Sequence, residues 1–372
     1  MNVETLSEFL SKVAASHIDG IINQKAIDLY EHRDDIKRKY LDMFKQAFAD
    51  AQKFTEQTGI EIANISFTLL RYNLLYGKKT YAVHVYDKNW YLNDYVKTGE
   101  IDVSDIFGEL DKAKEYLISE AKRYVGKFNY SDIDNALSWH FEVFSHFFIK
   151  LFRYVLVEIT ESEQYANIVK DNDFTILTGE LYGEPHILYQ ETKDRTSHKQ
   201  LLEMIESEER CHYLDLRNSD FVGLSLTNAD MSYADFRKGT LNNIDFSNAI
   251  LLGCIFSDCN LVEANFCDAQ LSEADFRNAN LQGANLSGVF SAQGVYELIK
   301  GEQHYHFPLN LQNADMRNVI FRGAFLHGID FTNAIIDGAT FEETYLKQCK
   351  FTRAQLSKVN LTETQRLQVV IV

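Results

Sequence analysis

Residues 261–286 read LVEANFCDAQLSEADFRNANLQGANL, and a large apolar residue recurs at every fifth position of this stretch. The same spacing extends from Leu216 to Leu286, and it returns from Leu311 to Leu361. A period of five matches neither the 3.6-residue repeat of an α-helix nor the two-residue repeat of a strand. Repetition over so many units predicts a solenoid, in which each repeat buries its apolar side chain against neighbouring coils.

A small residue precedes most of these large residues by two positions, as Ala264 precedes Phe266 and Cys259 precedes Leu261. We expect both residues to point into the solenoid and the other three residues of each repeat to point outward. The second inward residue is small because a narrow tube has no room for two large side chains on each side of a coil. The sequence therefore predicts a narrow solenoid whose coils stack at about 4.8 Å, the usual strand spacing.

The segments ANFCD, ADFRN, ANLQG and ADMRN resemble the repeats of the pentapeptide repeat family. In that family a small residue, then Asp or Asn, then Leu or Phe, are followed by two variable residues. The resemblance covers about 214–362 and implies a right-handed quadrilateral β-helix with four repeats per coil. We recognise no family in the residues before it.

The chain is predicted to have three parts. They are an α+β N-terminal domain over 1–210, mainly helical with β-hairpins; the β-helix over 211–362, interrupted by a loop at about 287–310; and an apolar C-terminal cap or dimer segment over 363–372. In the first part we expect one long helix or a broken pair over 18–57, and an aromatic helix that begins near Ser131. A cap is expected because an open β-helix end is an unpaired edge that invites aggregation.

With four repeats per coil, outward residues twenty positions apart stack on one face, and removing twenty residues from the interruption restores the spacing. This register predicts an acidic ladder of Asp215, Asp235, Asp275 and Asp315. A second face then carries Asn265, Asn285, Phe325 and Tyr345, so that two aromatic rings stack at its end. The alternative for the acids is that Asp suits tight turns through hydrogen bonds between its side chain and the backbone.

The interruption is interpreted as a loop thrown out of the solenoid, with a short helix in AQGVYELIKG over 292–301. Loops on rigid scaffolds often carry function, although this loop also has the composition to pack against the first domain or a second protomer. The candidate partner-binding residues, in the 288–308 loop and on the aromatic face, are Tyr296, Leu298, Ile299, His304, Tyr305, His306, Phe307, Phe325 and Tyr345. We predict no metal site, because His304, His306 and Glu297 have no evident fourth ligand.

The composition limits the partners and the compartment. A formal net charge of −17 argues against direct binding of nucleic acid, which needs a basic surface. Five cysteines, mostly at inward positions, and the absence of a signal peptide or an apolar membrane run predict a cytoplasmic protein. No cofactor is predicted.

The sequence contains no recognisable catalytic constellation, and the best-placed reactive side chains of the first domain are Trp139, His140 and His146. Our first hypothesis is a non-enzymatic scaffold that binds a protein partner, with a homodimer as a further expectation. The second comes from the family resemblance, because some pentapeptide repeat proteins mimic DNA and bind DNA gyrase or topoisomerase IV. The third is an enzyme in the first domain that the solenoid targets.

Overall fold

The computed structural model of this chain describes residues 5–89, 96–124, 127, 129–138, 140–181, 183–194, 196–207, 211–299 and 302–372. The chain divides into two compact units, Met1–Gln190 and Glu191–Val372. The second unit begins ahead of the predicted boundary at residue 211. The reason is that Leu201, on a helix over His198–Glu206, is buried within the apolar core of the solenoid.

The first unit combines helices with a mixed β-sheet. Its helices are α1 (Leu6–Phe9), α2 (Ala15–Glu31), α3 (Arg33–Thr58), α4 (Arg71–Tyr76), α5 (Ser104–Phe107), α6 (Glu109–Ala121), α7 (Tyr130–Ser138), α8 (Phe141–Thr160) and α9 (Glu163–Ala166), and a π-helical turn at Leu10–Ala14 joins the first two. Its strands are β1 (Ile62–Leu69), β2 (Thr80–Tyr86), β3 (Val96–Asp102), β4 (Lys170–Glu180) and β5 (His186–Thr192).

The strands of this unit lie in the order β3-β2-β1-β4-β5 within the described residues. β1 is antiparallel to β2 and parallel to β4, so that Ile65 lies beside both Val85 and Ile176. The sequence predicted separate hairpins and did not show that they join. The joining pair, β1 and β4, is a long-range contact that local residue patterns do not report.

Aromatic side chains from α3, α8 and β1 form the core of the first unit. The ring of Phe44 lies 4.9 Å from that of Phe152 and 5.4 Å from that of Phe67, in edge-on arrangements that favour aromatic pairs. The predicted start of the aromatic helix near Ser131 is wrong. A separate helix, α7, ends at Ser138, and α8 begins at Phe141. The predicted helix over 18–57 is a broken pair, α2 and α3.

The second unit is a β-helix with short additions at its ends. Its elements are α10 (His198–Glu206), β6 (Phe290–Ala292), β7 (Gly294–Ile299), β8 (Glu302–His306), β9 (Phe325–His327), β10 (Tyr345–Lys347), β11 (Lys350–Phe351), α11 (Arg353–Leu356), α12 (Glu363–Gln368) and β12 (Val370–Ile371). Elsewhere the coils pair through isolated parallel bridges between residues twenty apart, such as Asp215 with Asp235 and Asn265 with Asn285. This spacing confirms four repeats per coil.

The large and small inward residues fill the tube as the sequence predicted. Phe236, Phe256 and Phe276 are fully buried and stack with ring centroids 4.9 and 4.8 Å apart. The small inward position holds buried Cys259, whose Sγ donates to the carbonyl of Phe236 at 2.9 Å. Burial raises the pKa of this thiol to about 12, which makes it a poor nucleophile at neutral pH.

The last residue before most of the small inward residues forms a corner of the coil in the left-handed conformation. Asn218 and Asn278 both have a φ of 58°. An L-residue loses about 1–2 kcal/mol in this conformation, and asparagine tolerates it better than most side chains. The corner geometry therefore explains why asparagine and glycine recur at a position that the repeat pattern leaves variable.

The interruption is shorter than the sequence analysis assumed. Asp275 pairs with Asn310 and Asn280 pairs with Asp315, thirty-five residues along the chain instead of twenty. The insertion therefore comprises fifteen residues, 294–308, because the coil passes from Gln293 to Leu309. An insertion of fifteen or of twenty preserves the period of five, so that spacing alone could not distinguish them.

The inserted residues form a β-hairpin, which we call the 294–306 hairpin. β7 and β8 are antiparallel, with Tyr296 opposite His304. The predicted short helix over 292–301 is wrong. Val295, Tyr296 and Ile299 are of the β-branched and aromatic types that favour strands, and these propensities outweigh the weak helical pattern.

The C-terminal residues extend the stack by one more rung. β12 pairs in parallel with β11, so that Val370 lies beside Lys350 and Ile371 beside Phe351. The side chains of Leu367, Ile371 and Val372 are nevertheless 89, 53 and 62% exposed. Among the described residues, no helix has the length and apolar character needed to cross a bilayer.

We predict that deletion of residues 294–308 leaves the β-helix folded, because it joins Gln293 to Leu309 without changing the period of five. The expected melting temperature lies within about 5 °C of that of the full chain, as followed by circular dichroism. Deletion of 294–310 is the matched control, because it removes two further residues and turns later inward side chains outward. Equal stability of the two deletions would contradict the fifteen-residue insertion.

Candidate protein-binding surface

Three aromatic rings stack on one outer face of the β-helix, and we call them the aromatic column: Phe290, Phe325 and Tyr345. They belong to β6, β9 and β10, which form a parallel sheet in the order β10-β9-β6. The ring centroids of Phe290 and Phe325 are 5.1 Å apart with a 5° angle between planes, and those of Phe325 and Tyr345 are 4.6 Å apart at 14°. All three residues are half-buried.

The sequence predicted the stacking of Phe325 on Tyr345 but assigned the wrong residues to the rest of that face. Asn285 pairs with Ile320, on a different face, and Phe290 occupies the place above Phe325. The error follows from the assumed twenty-residue insertion, which shifts every later residue by one face. Phe290 was missed for the same reason.

The column is flanked by residues that continue its strands. His327 and Lys347 follow Phe325 and Tyr345 by two positions, and Lys347 is exposed. His327 Nε2 lies 2.9 Å from Gln348 Oε1, which holds the imidazole beside the column. On the other flank, Arg322 Nε lies 3.7 Å from a carboxylate oxygen of Glu343, and both side chains are exposed.

The base of the 294–306 hairpin is fixed to the β-helix by buried polar contacts. His306 Nδ1 lies 3.0 Å from Glu273 Oε1, and both side chains are less than 10% exposed. The Glu273 N–H donates to the Phe307 carbonyl at 2.9 Å, and the Leu309 N–H donates to Ser291 Oγ at the same distance. These contacts set where the hairpin leaves the solenoid.

Of the candidate residues in the loop, the structure describes the side chains of His306 and Phe307. The side chains of Tyr296, Leu298, Ile299, His304 and Tyr305 lie outside the described part of the structure. His306 is 4% exposed, so that its side chain anchors the hairpin base and does not present a surface. Phe307 is half-buried.

The acidic residues carry bound arginines. In each of four repeats an arginine two positions after the aspartate binds it through two nitrogens: Arg217 to Asp215, Arg237 to Asp235, Arg277 to Asp275 and Arg317 to Asp315. The pairing arginine was visible in the sequence as a recurring Asp-x-Arg. It supports the alternative interpretation, in which these aspartates stabilise the turns.

The four aspartates differ in face and in burial. Asp215, Asp235 and Asp275 share one face, but Asp315 pairs with Asn280 and lies on the next, so its place in the predicted ladder is wrong. Asp235 and Arg237 are 2 and 3% exposed. By contrast, the Arg317 side chain is 49% exposed, and its guanidinium holds the pKa of Asp315 below the usual range.

In the first unit, the candidate histidines lie on or next to α8, and the ring of His146 lies 6.1 Å from that of His186. His140 is the residue before α8, His146 Nδ1 lies 2.8 Å from the carbonyl oxygen of Glu142, and Trp139 lies outside the described residues. The sequence analysis missed His84, which is buried with its Nδ1 3.0 Å from Thr68 Oγ1. Burial lowers the pKa of His84. Within the part of the chain that the structure describes, no group of His, Cys, Asp and Glu has the arrangement of a metal site.

We predict that Asp235→Asn destabilises the protein by about 3 kcal/mol, because it removes the charged carboxylate that the buried Arg237 guanidinium binds through two nitrogens. The matched variant Asp315→Asn removes the same contact from the exposed Arg317 and is expected to cost much less. Chemical unfolding of the three proteins measures both effects. A smaller loss for Asp235→Asn than for Asp315→Asn would show that burial does not govern these pairs.

Comparison with known proteins identifies the second unit. The model of the family described as pentapeptide repeats matches in eight copies, over residues 211–248, 254–289, 310–348 and 337–365. No curated protein sequence matches significantly.

Two solved structures illustrate the similarity. QnrB1, described as a plasmid-mediated fluoroquinolone resistance protein, is 18% identical over 42% of this chain and 88% of its own, with a TM-score of 0.25. Rfr23, a pentapeptide repeat protein from the cyanobacterium Cyanothece 51142, is 20% identical over 45% of this chain and all of its own, with a TM-score of 0.20. The match to the family model and the twenty-residue coils show that the C-terminal part of this chain, residues 211–365, belongs to the pentapeptide repeat family, whose repeats build a right-handed β-helix.

Proposed function

We propose that this chain is a protein-binding scaffold whose interaction surface comprises the aromatic column and the adjoining 294–306 hairpin. The observation that carries the proposal is the column itself. The residue just before the large inward residue is Asp, Asn, Ser or Thr in most repeats, whereas three consecutive rungs here hold large aromatic rings at that position. Aromatic side chains are enriched at the centres of protein interfaces, where a few of them supply most of the binding free energy.

The β-helix gives this surface a fixed geometry. Phe290, Phe325 and Tyr345 are attached to rungs whose inward residues are fully buried, so that their backbone loses little further freedom when a partner binds. The hairpin leaves the solenoid directly after β6, which carries Phe290. A partner seated on the column therefore lies close to the hairpin base.

Binding to DNA gyrase or topoisomerase IV by DNA mimicry remains the second candidate, on the family resemblance alone. Mimicry requires a row of uncompensated negative charges in place of phosphates. The paired arginines of the Asp-x-Arg repeats argue against Asp215, Asp235, Asp275 and Asp315 as that row. An enzyme in the first unit is the third candidate.

We predict that a partner captured from a bacterial lysate depends on the aromatic column. The double variant Phe325→Ser and Tyr345→Ser is expected to reduce its recovery by about tenfold or more, as measured by quantitative mass spectrometry. Serine occupies the equivalent outward position at Ser225, so that the variant keeps the fold. Ile320→Ser, at an exposed outward position of another face, is the matched control.

Deletion of 294–308 in the same experiment separates the hairpin from the column. Recovery of gyrase or topoisomerase IV subunits would favour the second candidate. A set of captured proteins that is unchanged by both the deletion and the double variant would overturn the proposed surface.

We further propose that the C-terminal end of the β-helix forms a homodimer. β12 pairs with β11, and exposed apolar side chains lie on β12 and beside it: Leu367, Val370, Ile371 and Val372. Exposed apolar residues on a strand favour pairing with another chain, and a second copy of this chain presents the same surface.

We predict that Ile371→Lys converts a dimer into a monomer, because it places a charge in the apolar end surface. Light scattering after size-exclusion chromatography measures the mass of each protein. Val222→Lys, at another exposed apolar position, is the control and is expected to remain dimeric. A monomeric unsubstituted chain, or a dimer that Ile371→Lys leaves intact, would remove this proposal.

A further inference from the structure

The aromatic column has a regular spacing along the solenoid axis. Its ring centroids are separated by 5.1 and 4.6 Å, close to the distance between rungs. Because the rings stack on one another, their faces are largely occupied, and their edges form the accessible part of the half-buried side chains. A partner that contacts all three edges must present apolar groups at nearly the same interval.

We infer that the column binds an amphipathic α-helix that lies parallel to the axis of the β-helix. Two helical turns advance about 10.8 Å, within roughly 1 Å of the two ring separations taken together. Side chains at i, i+4 and i+7 of such a helix can therefore lie against the three ring edges in turn. This inference rests on the proposed function and specifies the kind of partner.

An extended segment fits the column less well. Residues on one face of a strand recur about every 6.7 Å, so that two intervals overshoot the column by roughly 4 Å. A strand that crosses the column at right angles contacts only one rung. At the middle rung such a strand also finds no free backbone edge, because β9 is paired on both sides by β6 and β10.

The charge beside the column indicates which charge the partner helix carries. Lys347 is exposed two residues after Tyr345, on the same side of β10. An acidic side chain that flanks the apolar stripe of the helix would lie near this ammonium group. The partner is therefore an amphipathic helix with at least one Glu or Asp beside its apolar face.

The test uses two displayed peptide libraries on the intact chain. In one, the variable positions lie on one face of a constrained helix, and in the other they lie on one face of a constrained hairpin. We expect the helix library to yield binders with apolar residues at i, i+4 and i+7. Their binding is expected to weaken by about tenfold or more in Phe325→Ser and severalfold in Lys347→Glu, and to be unaffected in Ile320→Ser.

Three outcomes would overturn the inference: enrichment of the hairpin library alone, helix binders that bind Phe325→Ser as tightly as the unsubstituted chain, or no binders from either library. Self-association of the chain that Phe325→Ser abolishes would also overturn it, since a second copy would then occupy the column. The result is distinguishable from failure of the proposed function. If a natural partner needs the column for its capture but the library yields no helix binders, only the inferred helix is excluded. If the captured partner does not depend on the column, both the inferred helix and the proposed function are excluded.

Discussion

The narrow interior of the β-helix is the constraint on which the rest of this structure depends. Each repeat contributes one large and one small inward side chain, and rings from successive coils stack about 5 Å apart, as Phe236 stacks on Phe256. Each such aromatic pair contributes about 0.5–1.5 kcal/mol beyond the burial of its area. Insertion or deletion of a single residue would shift the inward side chains of all later repeats to outward positions. The spacing of five is therefore strictly kept, while the outward residues are free to vary.

This constraint also explains which parts of the fold could be predicted from the sequence. The inward residues and the extrusion of a loop follow from the period, whereas the coil of four repeats was expected from the family resemblance. The length of the insertion cannot be predicted in this way, because any multiple of five preserves the period. The face of Asp315 and the presence of Phe290 in the column both depend on that length. The joining of β1 to β4 in the first unit is a long-range pairing that local pattern could not show.

The aspartates show how one visible pattern is open to two physical interpretations. In Asp215, Asp235, Asp275 and Asp315 the sequence showed a row of negative charge, although an arginine follows each of them by two positions. Where arginine is absent, as at Asp230 and Asp245, a serine takes its place, and the aspartate accepts a hydrogen bond from that serine's backbone N–H. The common property of these aspartates is therefore the stabilisation of the next turn. Their charge is compensated within the repeat wherever arginine is present.

The same logic gives the aromatic column its significance. An outward residue of the β-helix contributes little to the packing of the interior. Folding therefore does not require it to be apolar, and it is polar at most rungs. Rings at three consecutive rungs reduce the solvation of this face without filling the tube, and they begin at the strand from which the hairpin leaves. Ser291, within β6, is buried, and its hydroxyl oxygen accepts a hydrogen bond from the Leu309 N–H. The column and the hairpin base therefore share one rigid rung. A partner that bound the rings would therefore be held in a fixed position relative to the hairpin base.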